Sequence, residues 1–426
     1  MKLKVSVIGL GYVGLPVITS IAKTKKYNVV GFDLSEKKIE QIQTHKSPSV
    51  DEISDKYLNK NKFNISSDDL IMKDSDIFIV CVPTPVDEKY IPDYSPLVNS
   101  VKSICKYIKK GNSVIIESTI NPGTCEEVVL PTILSNSKLN SIEDFTLAHC
   151  PERINPGDLK WNIYNIPRNL GSSSKEGTKY LANFYRTFIK APINEVSSIK
   201  VAESTKIIEN TFRDINIAYV NELAMSFDKM EIDLVETIKA ASNKPFAFMP
   251  HWPGCGVGGH CIAVDPYYLI ERAAKSGFDH KFLKTARSVN NGMPKYTVEK
   301  LYTELEKLSK KKKFNVTVLG LSYKGNVGDL RESPALVILE LLKENKQIST
   351  SVFDPYVSQM STFKNLKDSV KNADAVLVCT NHSEFKDIVP SKLFKNSTVK
   401  VVIDGRNIWK KDLFKSTNIV YKGIGQ

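Results

Sequence analysis

The sequence predicts an α/β protein in which two doubly wound domains are joined by a long central helix and a helical middle domain. Three observations support this fold class. Short apolar runs alternate with helical stretches in the first half, one helical register continues with few breakers from about Ser197 to Met230, and strand-like runs return from Asn315 onward. Alternating strands and helices are typical of a parallel sheet covered on both faces. We expect domains at residues 1–196, 197–308 and 309–426.

The first domain is predicted from near-continuous apolar runs, which parallel strands buried on both faces require. The expected strands are Val5–Gly9, Val29–Phe32, Ile77–Val82, Val114–Glu117 and Phe145–His149. The expected helices between them are Tyr12–Lys23, Ser35–Gln43, Leu97–Lys109 and Thr124–Leu134.

The middle of the chain is predicted to be a helical connector. A second helix is expected near Leu234–Ala241, the Gly/Pro-rich stretch Pro245–Pro266 interrupts the pattern, and helices resume through about Leu308. The apolar residues that could line one side of the long helix are Val201, Ile208, Ile215, Ala218 and Leu223.

The C-terminal third echoes the first domain. Residues 373–380 repeat the pattern of residues 75–82, a small residue and an aspartate followed by an apolar strand that ends near a cysteine. Asp354 ends a strand-like run as Asp33 does. The sequence therefore predicts two related, Rossmann-like domains.

The composition is that of an ordinary globular protein. The chain has 426 residues, 42% apolar and 25% charged, which excludes collagen-like, disordered and disulfide-scaffold classes. The net charge is +12, from 59 Lys and Arg against 47 Asp and Glu. We interpret these cations as a solvated surface that suits anionic ligands, and we expect no nucleic-acid partner.

The seven cysteines include no C-x-x-C pair, so we expect free thiols and the cytoplasm as compartment. The apolar N-terminal stretch resembles an export signal, but its three glycines and the strand that follows it favour a strand–turn–helix unit instead. No apolar run is long enough for a membrane span, and we expect no membrane partner.

A dinucleotide site is predicted at the segment Gly9-Leu10-Gly11-Tyr12-Val13-Gly14, a G-x-G-x-x-G motif between a strand and a helix. The glycines permit a tight turn, an approach to a pyrophosphate and close helix packing. Asp33, 24 residues after Gly9, can accept hydrogen bonds from ribose hydroxyls and would repel a 2′-phosphate, which favours NAD over NADP. The alternative is a set of ordinary turn glycines with Asp33 as a helix cap. Further ligand contacts are expected where later strands end, at Pro83-Thr84-Pro85 and Glu117-Ser118-Thr119.

A candidate reactive thiol lies in the Gly-rich segment 254–266, which contains Cys255, Cys261 and Asp265. A cysteine at a helix N-terminus has a lowered pKa, and Asp265 could serve as a base near it. Two alternatives stay open, a buried structural thiol and a zinc site. The zinc ligands would be His251, Cys255, His260 and Cys261, whose spacing matches no usual zinc pattern. We expect no metal.

Three polar residues elsewhere have weaker signals. Lys206 and Asn210 are spaced i, i+4 and could hold an oxyanion on one helix face, although a solvated face would look the same. Glu152 follows the last strand of the first domain and could be a general base or only the ion-pair partner of Arg153.

Together these segments resemble the nucleotide-sugar dehydrogenases, which include the UDP-glucose and UDP-N-acetylhexosamine 6-dehydrogenases, over essentially the whole chain. The motifs that carry the resemblance, in chain order, are Gly9–Gly14, Pro83-Thr84-Pro85, Ser118-Thr119 with Pro122-Gly123, Pro151-Glu152-Arg153, Lys206 through Asn210, Gly258-Gly259-His260-Cys261 with Asp265, and Tyr323-Lys324 through Arg331-Glu332-Ser333-Pro334.

The resemblance implies a four-electron oxidation of a sugar C6 alcohol to a carboxylate with two NAD+. Cys261 would capture the intermediate aldehyde as a thiohemiacetal, a second hydride transfer would give a thioester, and water would hydrolyse it. Lys206 and Asn210 would stabilise the oxyanion. Asp265 and Thr119 would handle protons and water, and Glu152 would support thioester hydrolysis.

The resemblance also implies the binding residues and the assembly. The cofactor residues would be Gly9, Gly11, Tyr12, Val13, Gly14, Asp33, Pro83, Thr84 and Thr119. The substrate residues would be Glu152, Arg153, Lys206, Asn210, Arg213, Gly258, His260, Lys324 and Arg331. The long helix would form the core of a homodimer, with Arg331 reaching the partner subunit.

Three positions favour the N-acetylhexosamine branch over the UDP-glucose branch. His260 stands where the UDP-glucose branch typically has serine. Arg153-Ile154-Asn155-Pro156-Gly157 follows Glu152 where that branch typically has a Leu-Arg pair, and Arg213 is usual in the N-acetylhexosamine branch. UDP-GlcNAc, UDP-ManNAc and UDP-GalNAc stay open as substrates, and the product would feed a surface or cell-wall polysaccharide. The alternative functions are a UDP-glucose 6-dehydrogenase, a two-electron NAD dehydrogenase without a covalent step, and a non-catalytic nucleotide-sugar sensor.

Overall fold

The structure, a computed structural model, describes residues 2–46, 58, 63–87, 90–153, 161–259, 261–308 and 313–426. His260 and residues 154–157 of the first-domain motif lie outside the described residues. The chain divides into two compact units, which are described separately below. The first consists of Met1–Glu209 and Tyr267–Phe278, and the second of Asn210–Pro266 and Asp279–Gln426. The three domain boundaries expected from the sequence stay a prediction.

The first unit contains an eight-stranded sheet. Its strands are β1 Lys4–Ile8, β2 Asn28–Phe32, β3 Asn64–Ser66, β4 Ile77–Val80, β5 Ser113–Ile116, β6 Thr146–His149, β7 Arg168–Ser172 and β8 Ile193–Glu195. They are ordered β3-β2-β1-β4-β5-β6-β7-β8, and every pairing is parallel except β6 with β7. The five predicted strands are confirmed to within two residues at each end. The strands β3, β7 and β8 were not anticipated.

Helices cover both faces of this sheet. They are Gly14–Thr24, Glu36–Gln43, Ser95–Cys105, Leu130–Asn136 with a π-helical turn Cys125–Val129 before it, and Lys175–Arg186. On β4 the side chains alternate between faces: Ile77 and Ile79 pack in one apolar core with the helix Gly14–Thr24, whereas Phe78 and Val80 pack in another with Ser95–Cys105. Burial on both faces is the reason why the strands are apolar at successive positions.

The helical middle is built around Ile199–Met230, a helix of 32 residues that we call the central helix. It is followed by Leu234–Ala241, Asp265–Lys275 and Lys281–Leu308. The predicted apolar side of the central helix is not uniformly buried, because Ala218 is 4% exposed whereas Val201 and Ile208 are 42% and 60% exposed.

The second unit contains a five-stranded parallel sheet. Its strands are β9 Phe314–Leu319, β10 Ile348–Phe353, β11 Ala375–Val378, β12 Val401–Asp404 and β13 Val420–Gly423, ordered β10-β9-β11-β12-β13. The helices around it are Pro334–Glu344, Leu366–Lys371, Ser383–Lys386 and Pro390–Leu393.

The two sheets repeat one local design, as the sequence echo indicated. The order β2-β1-β4-β5 of the first recurs as β10-β9-β11-β12 in the second. Gly9 and Gly320 follow the first strand of each unit with φ of 87°. Each donates its N–H to the last residue of the neighbouring strand, at 2.8 Å in both cases. The predicted α/β class with two Rossmann-like folds and a long central helix is therefore confirmed.

Among the residues that the structure describes, no helix is both long enough and apolar enough to cross a membrane.

Candidate functional site

The glycine-rich turn after β1 has the geometry that its three glycines predict. A Cβ on Gly9 would lie 2.9 Å from the Cys81 backbone carbonyl, and a Cβ on Gly14 would lie 1.8 Å from the Gly9 carbonyl oxygen. Nothing lies within 4 Å of a Cβ on Gly11. Gly9 and Gly14 are therefore required for packing, while Gly11 leaves open space at the start of a helix, where backbone N–H groups favour a phosphate. The expected contacts Tyr12 and Val13 lie in the same turn, and Tyr12 is 40% exposed.

Asp33 lies at the carboxyl end of β2, and its carboxylate organises the turn. It accepts hydrogen bonds from the N–H of Leu10 at 2.8 Å and the N–H of Ser35 at 3.0 Å, and it pairs with Lys38 at 2.7 Å. The helix Glu36–Gln43 is capped by Ser35, whose hydroxyl accepts the Lys38 N–H. Asp33 is therefore not the helix cap, as the alternative interpretation of the motif had it. This placement at the strand end suits a ribose acceptor.

The loops after β4 and β5 are joined at the same edge of the sheet. The Thr84 hydroxyl donates to the Thr119 carbonyl at 2.6 Å, and the Ser118 hydroxyl donates to the Val82 carbonyl at 2.7 Å. The predicted cofactor residues of both loops, Pro83-Thr84 and Thr119, thus stand beside the carboxyl ends of parallel strands, where open α/β sheets bind ligands. The Tyr268 hydroxyl also donates to the Thr84 carbonyl. This edge fits a dinucleotide.

Glu152 belongs to a buried charge cluster. Its carboxylate pairs with Arg168, which also contacts Glu117 at 3.3 Å, and all three side chains are at most 2% exposed. The Tyr185 hydroxyl donates to Glu117 at 2.6 Å. Burial raises the pKa of Glu117, against the lowering effect of Arg168. Because two carboxylates share one guanidinium, Arg168 fixes the position of Glu152.

The sequence left open that Glu152 is only the ion-pair partner of Arg153, but the Arg153 guanidinium does not pair with it. Its guanidinium binds Glu209, with Nη2 2.5 Å from Oε1, and only its backbone N–H donates to Glu152. Burial and, to a smaller extent, the positive charge of Lys206 lower the pKa of the His149 imidazole to about 3.

In the second unit, Cys261 stands apart from the other thiols. All seven cysteines belong to the described residues, and it alone is exposed. It lies in a turn rather than at the first residue of a helix: its carbonyl accepts the N–H of Val264 at 3.2 Å and of Asp265 at 2.8 Å, and the helix Asp265–Lys275 begins four residues after the thiol. The thiol therefore lies near the N-terminus of this helix, as expected, but not at its first residue.

Asp265 and Asn210 form a pair. The Asn210 amide donates to the Asp265 carboxylate at 2.5 Å, and Asp265 is 3% exposed. The hydrogen bond fixes the orientation of the Asn210 amide and holds the carboxylate that the sequence suggested as a base. The spacing of Lys206 and Asn210 on the central helix gave no sign of this partner.

The Gly-rich segment before the thiol is fixed against the loop after β9. The Gly259 N–H donates to the Arg331 carbonyl at 3.0 Å, and a Cβ on Gly258 would lie 2.6 Å from the Glu332 carbonyl oxygen. A Cβ on Gly259 would lie 2.6 Å from the Tyr323 ring. The fold thus brings Cys261, Gly258, Lys324 and Arg331, which are far apart in sequence, to one region of the second unit. Arg331 pairs with Asp329 in its own loop at 2.6 Å.

Two arginines in this architecture were missed by sequence reasoning. Arg168 is the first residue of β7, a strand that was itself not predicted. Arg406 follows β12, and its guanidinium donates to the carbonyls of Cys379 at 2.8 Å and Gly256 at 3.3 Å. A search for polar residues at the carboxyl ends of parallel strands would have found Arg406.

The zinc alternative finds little support in the residues that the structure describes, which exclude His260. Within them, no group of three or more His, Cys, Asp or Glu could hold a metal ion. Cys255 points into the core, with its Sγ 3.7 Å from the Cys379 carbonyl. A hydrogen bond with the Cys379 thiol lowers the pKa of Cys255 to about 7, but the side chain is fully buried and closed to substrate.

Three family models match consecutive parts of the chain. They describe the NAD binding domain, the central domain and the UDP binding domain of the UDP-glucose/GDP-mannose dehydrogenase family, over residues 3–189, 200–292 and 317–411.

Individual relatives agree with these models. The chain is 40% identical over 400 residues to the UDP-N-acetyl-D-glucosamine 6-dehydrogenase of Pseudomonas aeruginosa, covering 91% of this chain and 92% of the relative. It is 36% identical over 432 residues to the UDP-N-acetyl-D-mannosamine dehydrogenase of Pyrococcus horikoshii, covering 100% and 99%. A solved structure of UDP-D-ManNAc dehydrogenase from Pyrococcus horikoshii superposes with a TM-score of 0.92 at 34% identity, covering 99% of each chain. The chain therefore belongs to the UDP-glucose/GDP-mannose dehydrogenase family and is an NAD-dependent UDP-sugar 6-dehydrogenase.

Proposed function

We propose that this enzyme oxidises the C6 hydroxyl of a UDP-N-acetylhexosamine to a carboxylate through a covalent adduct on Cys261. The observation that carries the proposal is the exposed Cys261 thiol, two residues after Gly259, whose N–H donates to the Arg331 carbonyl in the loop after β9 of the UDP binding domain. The relatives named for UDP-GlcNAc and UDP-ManNAc support an N-acetylhexosamine as substrate. UDP-GalNAc remains within the same proposal.

The chemistry assigned to Cys261 balances as two oxidations and a hydrolysis. NAD+, when bound at the dinucleotide site, would supply the hydride acceptor for each oxidation. The C6 hydroxyl loses a proton and a hydride to give an aldehyde, and the Cys261 thiolate adds to it as a thiohemiacetal. Loss of a second hydride and a proton gives a thioester. Water then attacks the thioester carbon, the C–S bond breaks to release the Cys261 thiolate, and the two protons of the water are lost as the carboxylate forms.

The remaining roles follow from what each side chain can do. Lys206 supplies a positive charge and Asn210 an oriented amide for the oxyanion of the adduct. Asp265, held by Asn210 at 2.5 Å, accepts a proton, and Thr119 orients water. Glu152 supports thioester hydrolysis from its place beside Arg168.

The substrate and cofactor contacts are proposed at the motifs already described. In the first unit, Gly9, Gly11, Tyr12, Val13, Gly14, Asp33, Pro83, Thr84 and Thr119 hold the dinucleotide. The proposed UDP-sugar contacts are Glu152, Arg153, Lys206, Asn210, Arg213, Gly258, His260, Lys324 and Arg331.

We infer further that the active form is a homodimer built on the central helix. Four large apolar side chains recur on that helix at spacings of seven, four and seven residues and are 42–60% exposed: Val201, Ile208, Phe212 and Tyr219. A stripe of exposed apolar side chains at this spacing is typical of a helix face that a second helix covers.

We also propose a compartment and a use for the product. The free thiols favour the cytoplasm, and a uronate product would feed a surface or cell-wall polysaccharide.

The decisive experiment measures NADH against acid product with a panel of UDP-sugars. The proposal predicts two NADH per carboxylate formed. One NADH per product would indicate a two-electron dehydrogenase, and UDP-sugar binding with no NADH would indicate a sensor.

A further inference from the structure

The loop between β9 and the helix Pro334–Glu344 is closely packed around its glycines. We call residues 323–331 the substrate loop, because it carries the proposed contacts Lys324 and Arg331. A Cβ on Gly325 would lie 2.4 Å from the Asn381 carbonyl oxygen, and a Cβ on Gly328 would lie 2.7 Å from the Tyr356 carbonyl oxygen. The loop backbone is therefore pressed against the residues that follow β11 and β10.

A buried histidine holds this loop. His382 Nδ1 accepts the backbone N–H of Asn326 at 2.9 Å, while its Nε2 lies 3.1 Å from Asp354 Oδ2. Since Nδ1 is the acceptor, the proton sits on Nε2 and is donated to the carboxylate. Asn326 has a φ of 63°, a left-handed conformation that is uncommon for a residue other than glycine. Its side chain also exchanges two hydrogen bonds with Ser383, at 2.8 and 2.9 Å.

The imidazole cannot turn without breaking this arrangement. It is fully buried, stacked on Tyr356 with ring centroids 4.9 Å apart and in edge contact with Phe385 at 5.2 Å. Asp354 is 1% exposed and accepts the N–H groups of Leu321 at 2.6 Å and Ser322 at 3.1 Å. The acceptor, the ring and the loop thus form one continuous hydrogen-bonded chain.

Comparison of the two Rossmann-like folds shows how the Asp354–His382 pair differs from its equivalent in the first unit. Asp33, the equivalent residue of the first unit, also accepts the N–H of the residue after the turn glycine, but its other side-chain partner is Lys38 on a helix. Asp354 binds His382 in that role and is closed to any ligand. At equivalent strand ends, the Asp33 carboxylate is suited to binding a ribose, whereas the Asp354 carboxylate is suited to holding a loop.

We propose that His382 is a positioning residue for the UDP-sugar, which with Asp354 fixes the substrate loop where Lys324 and Arg331 contact the nucleotide. This inference rests on the proposed function for those two contacts. The role of His382 is in binding rather than in chemistry. Loss of its side chain should therefore weaken substrate affinity and leave the hydride-transfer and hydrolysis steps intact.

The test compares His382→Leu with His382→Gln. Leucine removes both hydrogen bonds, and we expect the Kd for UDP and the KM for the UDP-sugar to rise by about tenfold or more, with kcat and the KM for NAD within about twofold. Glutamine can accept from the Asn326 N–H and donate to Asp354, and it should restore most of the affinity. His280→Leu, at a position outside this arrangement, is the control and should change none of these values.

The outcomes separate this inference from the function on which it rests. Wild-type UDP affinity in His382→Leu, or an equal loss of UDP and NAD affinity there, would overturn the positioning role. Lys324→Ala and Arg331→Ala should weaken UDP binding; if both bind UDP normally, the proposed contacts fail and the inference fails with them. Calorimetric binding of UDP alone depends on neither Cys261 nor the sugar.

Discussion

Cys261 differs from the other six cysteines in the solvent exposure of its thiol, since those six are buried. Burial raises the pKa of Cys105 to about 11, whereas Cys261 is exposed in its turn. We predict that Cys261→Ser keeps UDP-sugar and NAD binding but loses turnover, because a serine alkoxide is harder to form and its ester is a poorer acyl donor. Calorimetry for binding and NADH formation for turnover check this. Cys105→Ser is the matched control and should stay active; normal acid production by Cys261→Ser would rule out the covalent route.

Asp33 combines a structural contact with a proposed role in the choice of cofactor, and Asp33→Ala removes both. Its carboxylate accepts the Leu10 N–H, which shapes the turn, and it carries the charge expected to exclude a 2′-phosphate. We predict that Asp33→Ala weakens NAD binding by about 1–3 kcal/mol. Asp33→Asn keeps an acceptor for Leu10 without the charge, so it should lose less affinity while still narrowing the preference for NAD over NADP.

The ratio of kcat/KM with NAD to that with NADP is the measurement for both Asp33 variants. Asp354→Asn, at the equivalent strand end of the second unit, is the control and should leave the ratio unchanged. A ratio that is also unchanged in Asp33→Ala would show that Asp33 does not lie at the ribose.

At the scale of elements, strands were predictable where burial on both faces leaves a continuous apolar run. β4, with the sequence Ile-Phe-Ile-Val, is an example, and its bounds agree at the N-terminal end. β7 has the sequence Arg-Asn-Leu-Gly-Ser, with one strongly apolar residue, and its buried arginine is paired with two carboxylates, Glu117 after β5 and Glu152 after β6. No local pattern can reveal a strand whose charged residue is neutralised only in the folded sheet.

The central helix was predicted within two residues at its start, but the environment of its apolar residues was not. Ala224 is fully buried, whereas Ile208 and Tyr219 are 60% and 58% exposed. Periodicity identifies an apolar side and cannot say whether the same chain or a second copy covers it.

We predict that Ile208→Glu converts the proposed dimer to a monomer at micromolar concentration. Each buried isoleucine contributes on the order of 1.5–3 kcal/mol, and a twofold interface loses it twice. Light scattering across a dilution series measures the mass. Val337→Glu changes an apolar side chain that is 49% exposed on another helix, and it should leave the mass unchanged. A wild-type monomer, or an intact Ile208→Glu dimer, would contradict the assignment.

At the scale of the whole molecule, the motifs predicted the local placement of residues better than the distant partners that hold them. Gly9 and Gly14 have the turn and packing geometry that their spacing implied, and Asp33 lies at the expected strand end, because a turn and a strand end are nearly local structures. The Asn210–Asp265 hydrogen bond and the Glu152–Arg168 ion pair join residues 55 and 16 positions apart in the chain. These partners depend on tertiary packing, and a single sequence carries no record of it.

The substrate preference is the last prediction, and it concerns the sugar end of the site. A hexose and its N-acetyl form differ by an acetamido group, which is much larger than the methylene that a pocket discriminates by about 1–3 kcal/mol. Arg153 and His260 adjoin the proposed catalytic residues Glu152 and Cys261 in sequence, and Arg153 is oriented by Glu209 at 2.5 Å. We predict that at least one UDP-N-acetylhexosamine exceeds UDP-glucose by about a hundredfold in kcat/KM, roughly 2.7 kcal/mol. Competition assays with UDP-GlcNAc, UDP-ManNAc, UDP-GalNAc and UDP-glucose measure it. Comparable efficiency with UDP-glucose would place the enzyme in the other branch and leave the proposed covalent mechanism intact, because Cys261 is proposed to act at C6 and the acetamido group is at C2.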